Sequence, residues 1–343
     1  MEVRKLRVGI LGSTGLVGQR LIEQLSTHPN FKIERLFGRP ERKGELYYDI
    51  VNWSCETRLP KQVAEMIITS IEDEKTFSDI DIFLSALPAT AAEKIESKLR
   101  SKGFAVVSNA RAHRMDSDVP LLVPEINVNA LELVTAQKKK YSGGFIATNP
   151  NCSSIGISLA LAPIEKALGI EKLYVATLQA RSGAGLKGLT ATEMTANVIP
   201  NIDGEEDKIK QEIPKIFGRG IPIKVRVNRV PVADGHTFNI WVTTKKRTTV
   251  SELKLLWKTF KPECGALYSI SKATSIYNVY DDEFMPQPKK DAWFLSGMGT
   301  SIGRIEAISD NEFCLTAVSN NIVRGAAGGT LLVAEALLER GMI

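Results

Sequence analysis

Of the four cysteines in this chain, Cys152 stands in a setting suited to covalent chemistry. It follows Thr148-Asn149-Pro150-Asn151 and precedes Ser153-Ser154 and an apolar stretch. Proline disfavours helix at the residue before it, so Asn149 stays extended and Cys152 falls at or just before a helix N-terminus. The unpaired N–H groups and dipole of such a terminus favour thiolate over thiol. The same N–H groups are placed to hold the oxyanion of a tetrahedral intermediate. Cys55, Cys264 and Cys314 have no such context and read as structural. An ordinary buried cysteine remains the plain alternative for Cys152. A thiolate nucleophile needs a proton partner, and there are three histidines to choose from. His28, before Pro29 in the loop after the first helix, is expected to face solvent. His113 lies in a polar turn. His236 opens a strand after Asp234-Gly235 and is the best placed, although a lone histidine can equally be structural.

A second chemical signal is the turn Gly9-Ile-Leu-Gly12-Ser13-Thr14-Gly15-Leu16-Val17-Gly18. It directly follows an apolar strand and directly opens a helical pattern. Glycine allows backbone to approach a pyrophosphate closely or to adopt positive φ, and the helix N-terminus offers N–H groups to the phosphates. A tight turn without a ligand is the competing reading. An NAD site usually carries Asp or Glu at the end of the second strand. Here that strand ends in Gly38-Arg39-Pro40-Glu41-Arg42-Lys43. The cations Arg39, Arg42 and Lys43 suit a 2′-phosphate, so NADP is favoured, while Glu41 keeps NAD open.

The elements that must position these residues follow from the apolar patterning. Strands are expected at 5–11, 32–37, 81–84, 104–107 and 144–147, with helices near 16–25, 90–102 and 127–140. This alternation predicts an α/β fold with a doubly wound parallel sheet. Beyond residue 150 come strands at 172–180, 224–232 and 237–245 and helices near 153–167 and 250–259, the pattern of an α+β domain. From Arg324 onward the chain reads as one helix opened by Gly325-Ala-Ala-Gly-Gly329. The 343 residues, 43% hydrophobic and 24% charged, suffice for two globular domains. The net charge of +5 is mild, and the one basic run, Lys138–Lys140, reads as a solvated helix end. Neither a nucleic-acid stripe nor a membrane span is indicated, and the cysteines lack metal-site spacing.

Taken together, Gly12-Ser-Thr-Gly15-Leu-Val-Gly18, Ser85-Ala86-Leu87-Pro88, Ser108-Asn109-Ala110, Asn149-Pro-Asn-Cys152-Ser153, Gln179-Ala-Arg-Ser182-Gly183-Ala-Gly185 and Asn321-Ile-Val-Arg-Gly-Ala-Ala-Gly328 resemble the aspartate-semialdehyde dehydrogenase family in its archaeal and fungal form. The resemblance runs over essentially the whole chain. It implies a Rossmann-like NADP-binding domain (1–149 with 322–343) and a catalytic and dimerisation domain (150–321), as in glyceraldehyde-3-phosphate-dehydrogenase-like folds. The implied reaction converts L-4-aspartyl phosphate and NADPH reversibly to L-aspartate 4-semialdehyde, phosphate and NADP⁺, feeding lysine, methionine and threonine synthesis. By the same resemblance Cys152 forms a thioester, His236 is general acid and base, and Gln179 positions the acyl group. Asn151 and the Cys152 backbone make the oxyanion site. Arg229 binds the substrate carboxylate and Glu205 its ammonium; Lys208 and Arg114, helped by Asn109, bind phosphate. Ser85–Pro88, Ser108, Ser182, Gly183 and Asn321 line the cofactor site. Without the family, Glu205–Lys208 would read as a solvated helical turn and Arg229 as a surface strand residue.

Two positions depart from the family pattern: Met285 begins Met-Pro-Gln-Pro-Lys289 where arginine is common, and Ala196 precedes Asn197-Val-Ile-Pro200 where an acid is common. Malonyl-CoA reductase is a relative of the same fold, with Thr-Pro-Leu-Cys rather than Asn-Pro-Asn-Cys before the cysteine. A catalytically inactive NADP-binding regulatory protein is the alternative of another class, against which the intact Cys152, Gln179, Arg229 and His236 argue. A cytoplasmic homodimer or homotetramer acting on small molecules, with no metal, nucleic-acid or membrane partner, completes the expectation.

Overall fold

A computed structural model describes residues 4–185, 190–265, 267–270 and 275–343. The chain forms two compact units. One takes the chain up to Leu122, together with Asn129–Asn149 and Thr330–Ile343; the other takes Val123–Val128 and Pro150–Gly329.

The first unit is built on β1 (Leu6–Leu11), α1 (Leu16–Leu25), β2 (Phe31–Gly38), β3 (Thr69–Ser70), β4 (Ile82–Ser85), α2 (Ala89–Ser101), β5 (Ala105–Ser108), α3 (Glu132–Lys140) and β6 (Phe145–Thr148). The strands form one sheet in the order β3-β2-β1-β4-β5-β6, every pairing parallel. This is the doubly wound, Rossmann-like order, in which ligands bind beyond the carboxyl ends of the strands where the order reverses, here β1 and β4. Parallel strands are covered on both faces, which is why Val8–Leu11 and Ile82–Leu84 are continuous apolar runs, all buried. Phe37, Phe77, Phe83 and Phe104 meet at centroid separations of 5.5–5.7 Å, mostly edge to face. A Cβ on Gly9 would lie 2.9 Å from the Phe37 ring and 3.0 Å from that of Phe83, so β1 passes this cluster only as glycine.

The second unit contains α4 (Cys152–Leu168), β7 (Ile170–Gln179), α5 (Glu205–Phe217), β8 (Ile223–Arg229), β9 (His236–Thr244), α6 (Val250–Thr259), β10 (Tyr277–Val279), β11 (Thr300–Ala307) and β12 (Glu312–Ser319). Its sheet runs β10-β11-β12-β9-β7-β8 and is mixed: β7–β8 and β10–β11 pair parallel, the rest antiparallel. Helix α4 is apolar all round and buried from Ser153 to Ile164, as a helix enclosed in a core must be. The other sheet face carries a row aligned by register, Lys224, Tyr174, Trp241 and Cys314; Tyr174 and Trp241 are each 39% exposed.

Three sequence expectations change. Strands β10, β11 and β12 were not anticipated. The final helix, α7, spans Gly328–Glu339 and is preceded by a π turn, Val323–Ala327, rather than starting at Arg324. The division between units also differs from 1–149 with 322–343 against 150–321. Val123–Val128 joins the second unit because Arg324 grips Glu125 there, at 3.0 and 2.6 Å, and the last crossing falls between Gly329 and Thr330.

Candidate active site

Helix α4 begins at Cys152, and Asn151 caps it: its side-chain oxygen accepts from the Ser153 and Ser154 N–H groups at 2.9 and 3.2 Å. Cys152 Sγ lies 3.3 Å from Nε2 of His236. That histidine opens β9 and is completely buried. Its Nδ1 accepts the backbone N–H of Ala180 at 3.0 Å. Burial drives the imidazole pKa down to about 3, with the Glu205 carboxylate opposing and the Arg229 cation adding to the shift. The imidazole is therefore neutral at physiological pH. Elsewhere in the chain, burial pushes the Cys55 thiol up to about 12. Cys264 is buried, and Cys314 is raised by burial and by Glu306.

Around this pair the second unit assembles a polar cluster centred on Glu205, at the first turn of α5 and only 4% exposed. Its carboxylate accepts from Asn151 Nδ2 at 3.0 and 3.2 Å, Ser153 Oγ at 3.2 Å, Gln179 Nε2 at 3.3 Å and Lys208 Nζ at 3.0 Å. Burial alone would raise the Glu205 pKa, but Lys208, Asn151 and His236 outweigh it and hold the group below its ordinary value. The carboxylate thus stays charged in the interior. Gln179, 1% exposed, also donates to Ser153 Oγ at 2.8 Å. Glu212, two turns further along the same face of α5, accepts the Asn151 N–H at 2.6 Å. The plain reading of Glu205–Lys208 as a solvated turn fails at Glu205, and that of Arg229 as a surface residue fails too: Arg229 is 7% exposed.

Arg229 ends β8 opposite Gln179 and donates to the Ala180 carbonyl at 2.6 Å. Burial lowers its pKa, with Cys152 and Glu205 opposing; an arginine stays charged regardless. Gly183 packs on both residues: a Cβ there would lie 2.8 Å from Arg229 Nη1 and 3.2 Å from His236 Cε1. Asn321 donates to Ser182 Oγ at 2.9 Å and accepts the Gly235 N–H at 2.9 Å, tying the Ser182 loop to the residue before His236. From the π turn, Gly325 abuts the nucleophile, since a Cβ on it would lie 2.7 Å from that of Cys152.

Of the expected oxyanion donors, Asn151 Nδ2 is already committed, and so are two N–H groups of the helix terminus. Ser153 and Ser154 N–H are used by the Asn151 cap, and Asn151 Nδ2 faces Glu205. The arrangement can therefore generate a shielded nucleophile and meet negative charge chiefly through donors close to the sulfur, His236 Nε2 among them.

In the first unit the glycine turn has the geometry a dinucleotide requires. Gly12 adopts φ +80°, and a Cβ on it would lie 2.7 Å from the Ala86 carbonyl at the end of β4. Gly15 faces space, its nearest obstacle being the Gly12 carbonyl at 3.6 Å. Gly18 has no room for a Cβ beside Gly12 O and the Ser13 Cα. These are the three glycine roles of a dinucleotide fingerprint: tight turn, close ligand approach and helix–strand packing. No side chain caps α1, which begins at Leu16, and the N–H groups of such a terminus can meet a phosphate. Thr14 is exposed and Ser13 buried. Gly38 ends β2 and is followed by the exposed Arg39; Arg42 and Lys43 are paired to Glu45 at 2.8 Å and Asp73 at 3.1 Å. Arg39 is the cation best suited to a 2′-phosphate.

Ala86, Leu87 and Pro88 continue from β4 into α2, and Ser85 and Ser108 are fully buried beneath them. Ser108 donates to the buried Glu96 at 2.7 Å. Asn109 accepts from Asn149 Nδ2 at 3.0 Å, and its carbonyl accepts from Arg114 at 2.7 Å.

Sequence reasoning missed Ser153, Glu212 and Glu96, and also Tyr47 and Gln19. Tyr47 holds the Ser13 carbonyl at 2.7 Å and Gln19 the Thr14 carbonyl at 2.9 Å, turning the acceptors of the glycine turn inward. His28 is corrected outright. It is buried against Glu335 at 3.2 Å, not solvent-facing. Among the described residues no cluster of His, Cys, Asp or Glu suits a metal ion, and no helix is long and apolar enough to cross a membrane.

Two family models match the chain: semialdehyde dehydrogenase, NAD binding domain, over residues 7–134, and semialdehyde dehydrogenase, dimerisation domain, over residues 161–324. Aspartate-semialdehyde dehydrogenase of Methanothermobacter thermautotrophicus is 36% identical, covering 97% of this chain and 99% of its own. Malonyl CoA reductase (NADP) of Metallosphaera sedula is 32% identical, with 99% of each chain covered. The crystal structure of aspartate semialdehyde dehydrogenase with NADP from Candida albicans superposes with a TM-score of 0.91 at 32% identity, over 99% of this chain and 100% of that one.

Proposed function

The chain belongs to the semialdehyde dehydrogenase family, and we propose on that footing that it interconverts L-4-aspartyl phosphate and L-aspartate 4-semialdehyde with NADP(H), in the synthesis of aspartate-derived amino acids. The observation that carries the reading is Cys152 Sγ at the start of α4, 3.3 Å from the imidazole of His236 and backed by the Gln179–Ser153–Glu205 network.

In the reductive direction the sulfur of Cys152 attacks the acyl carbon; a C–S bond forms, the C–O bond to phosphate breaks, and a thioester remains. When bound, the reduced nicotinamide would supply hydride to the thioester carbon. The oxyanion so formed on the Cys152 adduct collapses, the C–S bond breaks, and the aldehyde leaves the sulfur with its electron pair. His236 is the proton partner at the sulfur and the carbonyl oxygen. Gln179 orients the acyl group, and Arg229 takes the substrate carboxylate by its planar guanidinium. The substrate ammonium competes with Lys208 for Glu205, which frees Lys208 to meet the phosphate. Asn151 acts by capping α4 and bracing Glu205. Gly12, Gly15, Gly18 and the α1 terminus hold the pyrophosphate, with Arg39 at the 2′-phosphate; the open Gly15 approach supports that fit.

A two-fold assembly through the second unit's open sheet face, as a dimer or a dimer of dimers, is supported by the Tyr174–Trp241 row and by the matched dimerisation domain. A reducing cytoplasm suits the chemistry, and among the described residues no disulfide forms.

The test is a panel of aspartate semialdehyde with phosphate and NADP⁺ or NAD⁺, and malonyl-CoA with NADPH. Phosphate-dependent NADPH formation from the semialdehyde is expected. Turnover of malonyl-CoA alone would transfer the chain to the thioester-reducing branch that the Metallosphaera relative represents.

A further inference from the structure

We propose that Glu212 is a positioning residue for the nucleophile: from α5 it holds the Asn151 N–H, and so supplies the missing arm of the cap that seats Cys152 against His236. The proposal deepens the reading above and rests on it for the identity of the reaction.

A full N-terminal cap has two arms. The side chain of the capping residue accepts an N–H of the first turn, and a Glu or Gln three residues on reaches back to the capping residue's own N–H. Asn151 supplies the first arm, taking the Ser153 and Ser154 N–H groups. The residue three on is Ser154, whose side chain is too short for the second. The Asn151 N–H nevertheless belongs to a residue only 8% exposed, where a donor needs an acceptor. Glu212 provides it at 2.6 Å, from 61 residues away in sequence. Glu212 is itself buried. It shares a face of α5 with Glu205, which takes Nδ2 of the same asparagine at 3.0 and 3.2 Å. The Asn151 carbonyl accepts the Ile155 N–H at 2.9 Å, so every polar atom of Asn151 is engaged. Two acids of one helix thus clamp the residue immediately before the nucleophile.

Cys152 is the first residue of α4, and Gly325 crowds it from the π turn, where a Cβ would lie 2.7 Å from that of Cys152. Between clamp and glycine, Sγ stands 3.3 Å from Nε2 of His236. A slip of this first turn lengthens the path of the thiol proton to the imidazole and misaligns sulfur with the acyl carbon. A misplacement of about 1 Å can cost about 10²-fold in rate. The substrate's own charges fall to Arg229 and Glu205, so loss of the Glu212 contact acts on kcat before KM.

Two variants separate reach from charge. Glu212→Gln keeps an oxygen at the same reach and gives up the charge, whereas Glu212→Asp keeps the charge and withdraws it by one methylene. Glu212→Met, of like length but without an acceptor, carries the same expectation as Glu212→Asp should that variant not fold. Glu212→Gln should keep kcat within about threefold of the parent, and Glu212→Asp should lose about 10- to 100-fold, with KM for semialdehyde within about threefold in both. The opposite order, equal kcat in the two, or a loss confined to KM overturns the proposal. A second readout needs no substrate, so failure of the assay panel and failure of this proposal are separable. Iodoacetamide alkylation of Cys152 at neutral pH, located by peptide mass spectrometry, should match the parent in Glu212→Gln. It should slow several-fold in Glu212→Asp and Glu212→Met as sulfur leaves the imidazole. Equal rates in all of them overturn the proposal whatever the substrate.

Discussion

Replacing Cys152 by serine keeps the side chain's size and removes the thiolate. We expect NADPH formation to fall by at least about a thousandfold while coenzyme still binds, measured by turnover and by fluorescence titration. His236 makes a second prediction, in stability. Its folded pKa, about 3, lies below the ordinary 6.5, so between these values the unfolded chain binds the proton and the native state does not. Stability from this group is therefore whole above about pH 6.5 and is lost as pH falls toward 3, at about 1.4 kcal/mol per pH unit. Urea midpoints at pH 7 and pH 5 should differ less in His236→Gln than in the parent. Cys152 and His236 were legible because their signals are local: a proline two residues away, a strand start, a short list of histidines. The Glu205 network was legible only through the family resemblance, because apart from Lys208 its partners lie 26 to 54 residues off in sequence. His28 was misread for the same reason, its partner Glu335 being 307 residues away.

At the level of elements, the π turn Val323–Ala327 is held from behind and presses forward. Arg324→Met strands the Glu125 carboxylate in the interior, where both partners are fully buried. A loss of about 3–5 kcal/mol is expected, read from urea unfolding. Gly325→Ala instead drives a methyl toward Cys152; the fold should survive, and kcat should drop far more than the unfolding midpoint. Sequence patterning found the first unit's longer strands and α1 because buried parallel strands alternate with amphipathic helices. It missed β3, only two residues long, and β11, whose pairing with β12 slips between Gly303 and Glu306. Arg304 at φ +46° marks that bulge, and the slip breaks the period-two signal a strand would otherwise show. With β11 hidden, β12 had no visible partner and went unread.

For the whole molecule, the open sheet face predicts assembly. A two-fold contact brings each residue of the Tyr174–Trp241 row close to the same row on a second copy. Trp241→Asp should therefore shift sedimentation toward the monomer. Size and composition suggested two domains, and the glycine turn at the start of the chain identified the first. Neither reveals that Thr330–Ile343 returns to the first unit, since an apolar helix looks the same whichever core it enters; the expectation that the C-terminal segment rejoins that domain came from the family resemblance alone. This return orders events on the ribosome. The second unit, from Pro150 to Gly329, can emerge and condense while the first still lacks its last segment and the carboxylate that His28 requires. The nucleotide-binding unit is thus begun first and finished last. Nascent chains held with Gly329 clear of the ribosome should already resist protease in the second unit, yet gain dinucleotide affinity only once α7 is released.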